Sequence, residues 1–229
     1  YETTIGLHVE DADGKAVYLR GSEEHQHHSL VLRKAAVPAC NRLSFKVGNE
    51  GDLDKAAAFC SANGVAHAFV DQPFQGRTLH FTDPFGFQIE LYAIMEKRPH
   101  LLRRYDLYKG CHPQRFDHFN VFAAEVQGTV DFYARLGFRL TEYAEEDGPN
   151  GRIAAAWMHR KGNVHDFAIT NGKGPRLHHF AYWVPTAMNV LHLCDVMASS
   201  GYVKNIERGP GRHGISNAFF LYVRDPDGH

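Results

Sequence analysis

The turn Asp83-Pro84-Phe85-Gly86 runs into the strand-like Phe87-Gln88-Ile89-Glu90-Leu91-Tyr92, and the same turn returns as Asp225-Pro226-Asp227-Gly228. An internal repeat constrains a fold more than a single motif does, because every copy must bury its apolar face in the same way. Other anchors recur in step with it. Tyr1, Ile5, Gly6 and Leu7 parallel Tyr133, Leu136, Gly137 and Phe138, the end of a helix running into a strand. His28-Ser29-Leu30-Val31-Leu32 parallels His165-Asp166-Phe167-Ala168-Ile169. The chain therefore reads as two copies of one module, over residues 1–100 and 112–229.

Each module divides again. Leu43-Ser44-Phe45-Lys46-Val47 has strand composition. It precedes a helical pattern with apolar Leu53, Ala56, Ala57 and Cys60 on one face and Gly64 as its stop. The order recurs as Phe180-Ala181-Tyr182-Trp183-Val184, a helix over about 186–199 and Gly201. It recurs again as Phe119-Asn120-Val121-Phe122, a helix over about 126–135 and Gly137. Strand, helix and three strands make a βαβββ unit, and the fold class predicted is α+β with two such units per module. Tyr1 already matches a helix end and Asp225 opens the last turn, so both outer units are expected to continue in a longer polypeptide.

Charge narrows the partners. Lys plus Arg is 25 against 26 Asp plus Glu, a net charge of −1. Nucleic acid or an anionic membrane surface would call for a basic excess. The longest apolar stretches, Ile153–Met158 and Ala218–Val223, fall far short of the ~20 residues that cross a bilayer. These residues show no charged-then-apolar stretch before a small-residue cleavage site, so no secretory signal is expected. Cys40, Cys60, Cys111 and Cys194 show no paired spacing, which predicts free thiols and a cytoplasmic protein. The unusual residue is histidine, at 16 copies, several of them inside otherwise apolar strands.

Gly211-Arg212-His213, then Leu221-Tyr222, then Asp225-Pro226-x-Gly228 resembles the signature of the extradiol ring-cleaving catechol dioxygenases, which closes with a metal-binding Glu. Asp117-His118-Phe119-Asn120, Trp157-Met158-His159-Arg160-Lys161-Gly162 and Glu207-Arg208-Gly209-Pro210-Gly211-Arg212-His213-Gly214 support the resemblance. Glu90 lies seven residues after Asp83, so its counterpart is expected three residues beyond His229. The resemblance implies the vicinal oxygen chelate fold of paired βαβββ units, each module curling its sheet around a cavity. It also implies cleavage of a catechol, expected to be 3,4-dihydroxyphenylacetate, with insertion of both atoms of O2. A homotetramer is implied as well. Two alternatives stay open: a different catechol, or a binding protein of this fold without turnover.

Strand alternation puts His118, Asn120 and Phe122 on one face, and His179, Ala181 and Trp183 on one face. His118 and His179 each open a βαβββ unit, and with the expected Glu they would form two imidazoles and one carboxylate. That set suits Fe(II) or Mn(II) and leaves positions for a catechol and dioxygen. His178 competes for the ligand role but alternation turns it away from His179, and the family's ligand is the second histidine of the pair. Arg42 aligns with His179, and an arginine cannot ligate a cation, so the first module is expected to be metal-free with Glu90 structural. The resemblance assigns His165 to acid–base transfer, with His28 at the equivalent place of the metal-free module as a reminder that the position could be a fold feature. It makes His213 and Tyr222 a hydrogen-bonding pair for the substrate oxygens. Asn120, Trp157 and Arg208 are expected to bind substrate, with Arg208 forking a carboxylate.

Overall fold

A short side chain with an acceptor oxygen at Asn49 and apolar residues recurring every three to four positions specify a capped helix with one buried face. The computed structural model, which describes Tyr1–His229, contains it as the helix of the second repeat unit. The first unit contributes β1 (His8–Ala12), β2 (Ala16–Arg20) and β3 (Leu30–Arg33). The second contributes β4 (Leu43–Lys46), α1 (Glu50–Ala62), β5 (His67–Gln72), β6 (Gly76–Thr82) and β7 (Gln88–Tyr92). The third repeats that order as β8 (Arg115–Ala123), α2 (Val126–Arg135), β9 (Arg139–Glu145), β10 (Ile153–His159) and β11 (Phe167–Asn171). The fourth contributes β12 (Arg176–Trp183), α3 (Ala187–Ser199), β13 (Ile206–Arg212) and β14 (Phe219–Val223). In α1 the Asn49 side chain accepts from the Asp52 amide and Leu53, Ala56 and Cys60 are buried. No helix is long and apolar enough to cross a membrane.

The chain gathers into two compact units that cut across the sequence modules. One comprises Tyr1–Pro38, Lys97–Asp117 and Ala181–His229; the other comprises Ala39–Glu96 and His118–Phe180. The second repeat unit thus joins the third, together with most of β12, and the first joins the remainder of the fourth.

Within the second-and-third unit the two βαβββ copies have one topology. The strand order β4-β7-β6-β5 is matched by β8-β11-β10-β9, with β12 added beside β8. In both copies the first strand runs parallel to the last, as Leu43 opposite Ile89 and Phe119 opposite Phe167. A shared aromatic core holds the copies together. The Phe45 ring lies 5.2 Å from Phe119, 5.1 Å from Phe138 and 6.0 Å from Phe167, with Tyr133 and Phe167 fully buried. Asp83 ties the repeated turn into this core. Its Oδ1 accepts from the Phe85 and Phe87 amides, and its Oδ2 accepts from the Tyr133 hydroxyl at 2.8 Å. Gly86 is needed there because its φ of +93° would strain a side-chain-bearing residue.

The first-and-fourth unit contains the same device. Asp225 Oδ1 accepts from the Asp227 and His229 amides, and the Tyr1 hydroxyl donates to Asp225 Oδ2 at 2.6 Å. The anchors that revealed the repeat are therefore bonded to each other, a helix-end tyrosine of one copy to a turn aspartate of the other. A three-stranded antiparallel sheet, β1-β2-β3, and the β13-β14 hairpin complete the unit. Its buried Arg20 donates to Glu10 and to the Glu24 and Pro99 carbonyls. Glu24 in turn accepts from Gly21 N, Ser29 Oγ and Phe116 N.

Candidate metal centre

Period-two alternation along β8 buries Phe119, Val121 and Ala123 in the aromatic core. It leaves His118, Asn120 and Phe122 on the opposite face. Strand register extends that face sideways, because Asn120 pairs with Ala168 and Ala168 pairs with Trp157. Asn120, Ala168 and Trp157 thus form one row across the sheet, next to His118. Asn120 is buried and its Oδ1 accepts from Thr170 Oγ1 at 3.1 Å. That bond assigns the oxygen end of the amide, and the other end carries two N–H donors. Thr170 was not singled out by sequence; its place two residues along β11 from Ala168 is the signal that would have found it.

Across the β8–β12 edge, His118 Nε2 and His179 Nε2 stand 3.1 Å apart. A neutral imidazole carries one N–H, so two Nε2 lone pairs can converge only around a proton or a cation. Two nitrogens bound at right angles to one cation at about 2.1 Å are about 3.0 Å apart, so the pair fits two adjacent ligand positions. No third His, Cys, Asp or Glu completes a metal-holding group within the chain. The buried His165 ring lies 4.2 Å from the His118 ring. It precedes β11, and the Asn163 side chain donates to its carbonyl.

His178 departs from its expected orientation. Its ring stacks on Phe122 at 4.6 Å, a residue of the His118 face, and its Nδ1 is 2.9 Å from His179 Nδ1. Alternation fixes the two Cα–Cβ directions and not where the rings come to rest, and on this edge strand the two rings meet.

The remaining predicted residues belong to the other compact unit. Arg208 is exposed on β13 and pairs in register with Tyr222 on β14. His213 Nε2 is 3.2 Å from the Tyr222 hydroxyl, and Phe220 packs at 4.4 Å from the His213 ring. Burial pushes the Tyr222 phenol up, against the opposing pull of the Arg208 charge, so it stays protonated. Gly209 approaches the Phe220 carbonyl so closely that a Cβ would sit 2.7 Å from it.

The counterpart of the ligand pair in the second repeat unit is built differently. Glu90 is buried and accepts from Ser44 Oγ, Gln75 Nε2 and His80 Nε2 at 2.8, 2.8 and 2.9 Å. Arg42 Nη1 lies 3.9 Å from it. The carboxylate is engaged by the chain's own donors, which gives Glu90 the structural role expected of it.

Duplicated βαβββ units with this histidine pair place the chain in a known superfamily. A profile of the Glyoxalase/Bleomycin resistance protein/Dioxygenase superfamily matches residues 1–91 and 115–229, and the chain belongs to that superfamily. Among its solved relatives is homoprotocatechuate 2,3-dioxygenase from Brevibacterium fuscum, complexed anaerobically with 3,4-dihydroxyphenylacetate. It is 42% identical with a TM-score of 0.95, over 99% of this chain and 71% of that one. The Arthrobacter globiformis enzyme of the same name is 39% identical with a TM-score of 0.95, over 99% and 70%. A manganese-dependent 2,3-dihydroxybiphenyl 1,2-dioxygenase from Geobacillus genomosp. 3 is 29% identical over 100% of this chain and 77% of its own length. The chain spans 63% of the length of another structure of the B. fuscum enzyme.

Proposed function

We propose that the protein carrying this chain opens a catechol ring next to its two hydroxyls, inserting both atoms of O2, with 3,4-dihydroxyphenylacetate as substrate and a 2-hydroxymuconic semialdehyde as product. The observation that carries this reading is the convergence of His118 Nε2 and His179 Nε2, with the His165 ring beside them. The substrate assignment is supported by the 3,4-dihydroxyphenylacetate complex of the B. fuscum relative. His118 and His179 would hold Fe(II) or Mn(II), with a Glu beyond His229 as the third ligand. Such a cation, when bound, acidifies the catechol hydroxyls and couples the ring's electrons to dioxygen.

The protein residues then have distinct work. His165 gives and takes a proton, which imidazole does best near neutral pH. Asn120 offers its N–H donors on the His118 face, with its oxygen end held by Thr170. Trp157 offers an apolar wall to the ring. Tyr222, kept neutral and bonded to His213, donates to a substrate oxygen, and Arg208 forks the substrate carboxylate. A homotetramer in the cytoplasm is part of the proposal, consistent with four free cysteines.

A second reading, another catechol as substrate, is favoured by the names of the Geobacillus relatives, a 2,3-dihydroxybiphenyl dioxygenase and a metapyrocatechase. The test is direct. Full-length protein loaded anaerobically with Fe(II) or Mn(II) should give a yellow product with 3,4-dihydroxyphenylacetate and air, at a higher kcat/KM than with catechol or 2,3-dihydroxybiphenyl. The reverse order selects the second reading. Absence of product from metal-replete protein overturns both and leaves a binding protein. His165→Ala should keep metal and substrate binding and lose about 10²–10⁴-fold in kcat; undiminished turnover removes its role.

A further inference from the structure

We infer that His178 is a positioning residue for the candidate ligand His179, holding its imidazole in the one tautomer that can bind a cation through Nε2. The inference rests on the metal reading above and concerns a residue that simple strand alternation turns away from the site.

The chemistry follows from counting hydrogens. A neutral imidazole has one N–H. If His179 presents its Nε2 lone pair beside His118 Nε2, the hydrogen must sit on Nδ1. That nitrogen lies 2.9 Å from His178 Nδ1, within hydrogen-bond range. His179 Nδ1 then donates and His178 Nδ1 accepts, which requires His178 to carry its own hydrogen on Nε2. The opposite assignment places the hydrogen of His179 on Nε2 and turns an N–H toward the position a cation would need. A metal-bound histidine whose second nitrogen donates to a fixed acceptor is held in orientation and made a stronger base.

The acceptor is itself held. The His178 ring stacks on Phe122 at 4.6 Å with an interplanar angle of 29°. The Arg176 guanidinium lies 4.6 Å from the same Phe122 ring. Phe122 shares the β8 face with His118, so one strand supplies a ligand directly and, through Phe122 and His178, orients the other. The doublet His178-His179 thus divides its labour: the second histidine binds and the first sets its tautomer.

Two substitutions separate the hydrogen bond from the stacking. His178→Phe keeps a ring to stack on Phe122 and removes the acceptor. His178→Asn removes the ring and keeps an acceptor oxygen near the Nδ1 position. Mn(II) affinity of the full-length protein, measured by calorimetry with the Mn(II) resonance spectrum recorded in parallel, is the readout. The expected result is a loss of about 10–100-fold for His178→Phe, with a broadened spectrum, and affinity within about threefold of wild type for His178→Asn. Equal affinities in the two variants, or the reverse order, overturn the inference while leaving the metal site intact. Wild-type protein that does not bind Mn(II) overturns the metal reading, and the inference with it.

Discussion

In the four-stranded sheet, one row across the strands reads Ser44, Glu90, His80; in the five-stranded sheet the same row reads Asn120, Ala168, Trp157. Arg42 precedes the first row as His118 precedes the second. The arginine brings a permanent charge, and Glu90 receives it together with donors from Ser44, Gln75 and His80. The second row has alanine where the first has the carboxylate, and the residue that precedes the row, His118, faces His179. The duplicated fold thus uses equivalent positions for structure in one copy and for a histidine pair in the other. One copy closes its polar network with its own cation, and the other brings two imidazole nitrogens, His118 Nε2 and His179 Nε2, within 3.1 Å of each other.

The two sheets differ most at the position that precedes each row. His118→Arg, which writes the residue of one sheet into the other, is expected to cost more than about 100-fold in Mn(II) affinity, beyond the loss typical of a supporting residue. Retained binding in a calorimetric titration would dissolve the contrast. Next in size, Glu90→Leu should leave the donors of Ser44, Gln75 and His80 without their acceptor and Arg42 without its partner. The expected destabilisation is about 2–4 kcal/mol in urea unfolding; a change below about 0.5 kcal/mol would show the network to be idle.

The smallest effect is a pH dependence. Burial, with the Arg42 charge adding to it and Glu90 opposing, holds His80 below the ordinary imidazole range. The unfolded chain therefore takes up more protons than the native state as pH falls below about 6.5, and stability declines in that direction. His80→Gln, which keeps a donor toward Glu90, should flatten the decline between about pH 7 and about pH 5. An unchanged slope of urea midpoint against pH would detach His80 from the network.

Much of the fold was legible because its signals are local. The Asp-Pro-x-Gly turns are readable since one aspartate satisfies two amides within four residues of itself, and the glycine must take a positive φ. Helix α1 is readable from its apolar stripe and Gly64, while its cap at Asn49 emerged only in the structure. What could not be read is which anchors meet. Tyr1, Tyr133, Asp83 and Asp225 were visible as repeats, but their pairing across copies, with the second repeat unit packing on the third, depends on long-range packing of Phe45 against Phe119, Phe138 and Phe167. The candidate site divides the same way. His118 was read from a unit boundary and His179 from a boundary together with the family resemblance, whereas the orientation expected of His178 fails because alternation describes Cα–Cβ directions and not where a ring on an edge strand comes to rest.

By itself the sequence determined the repeat, the βαβββ order and the residue types at each copy's equivalent positions, because turn chemistry and apolar periodicity act over a few residues. Only the tertiary structure decided that copies pair second with third and first with fourth. It also brought His118 Nε2 within 3.1 Å of His179 Nε2 and turned His178 to meet His179. Those outcomes depend on strand register and on which aromatic faces bury one another, and both are set between segments distant in the chain.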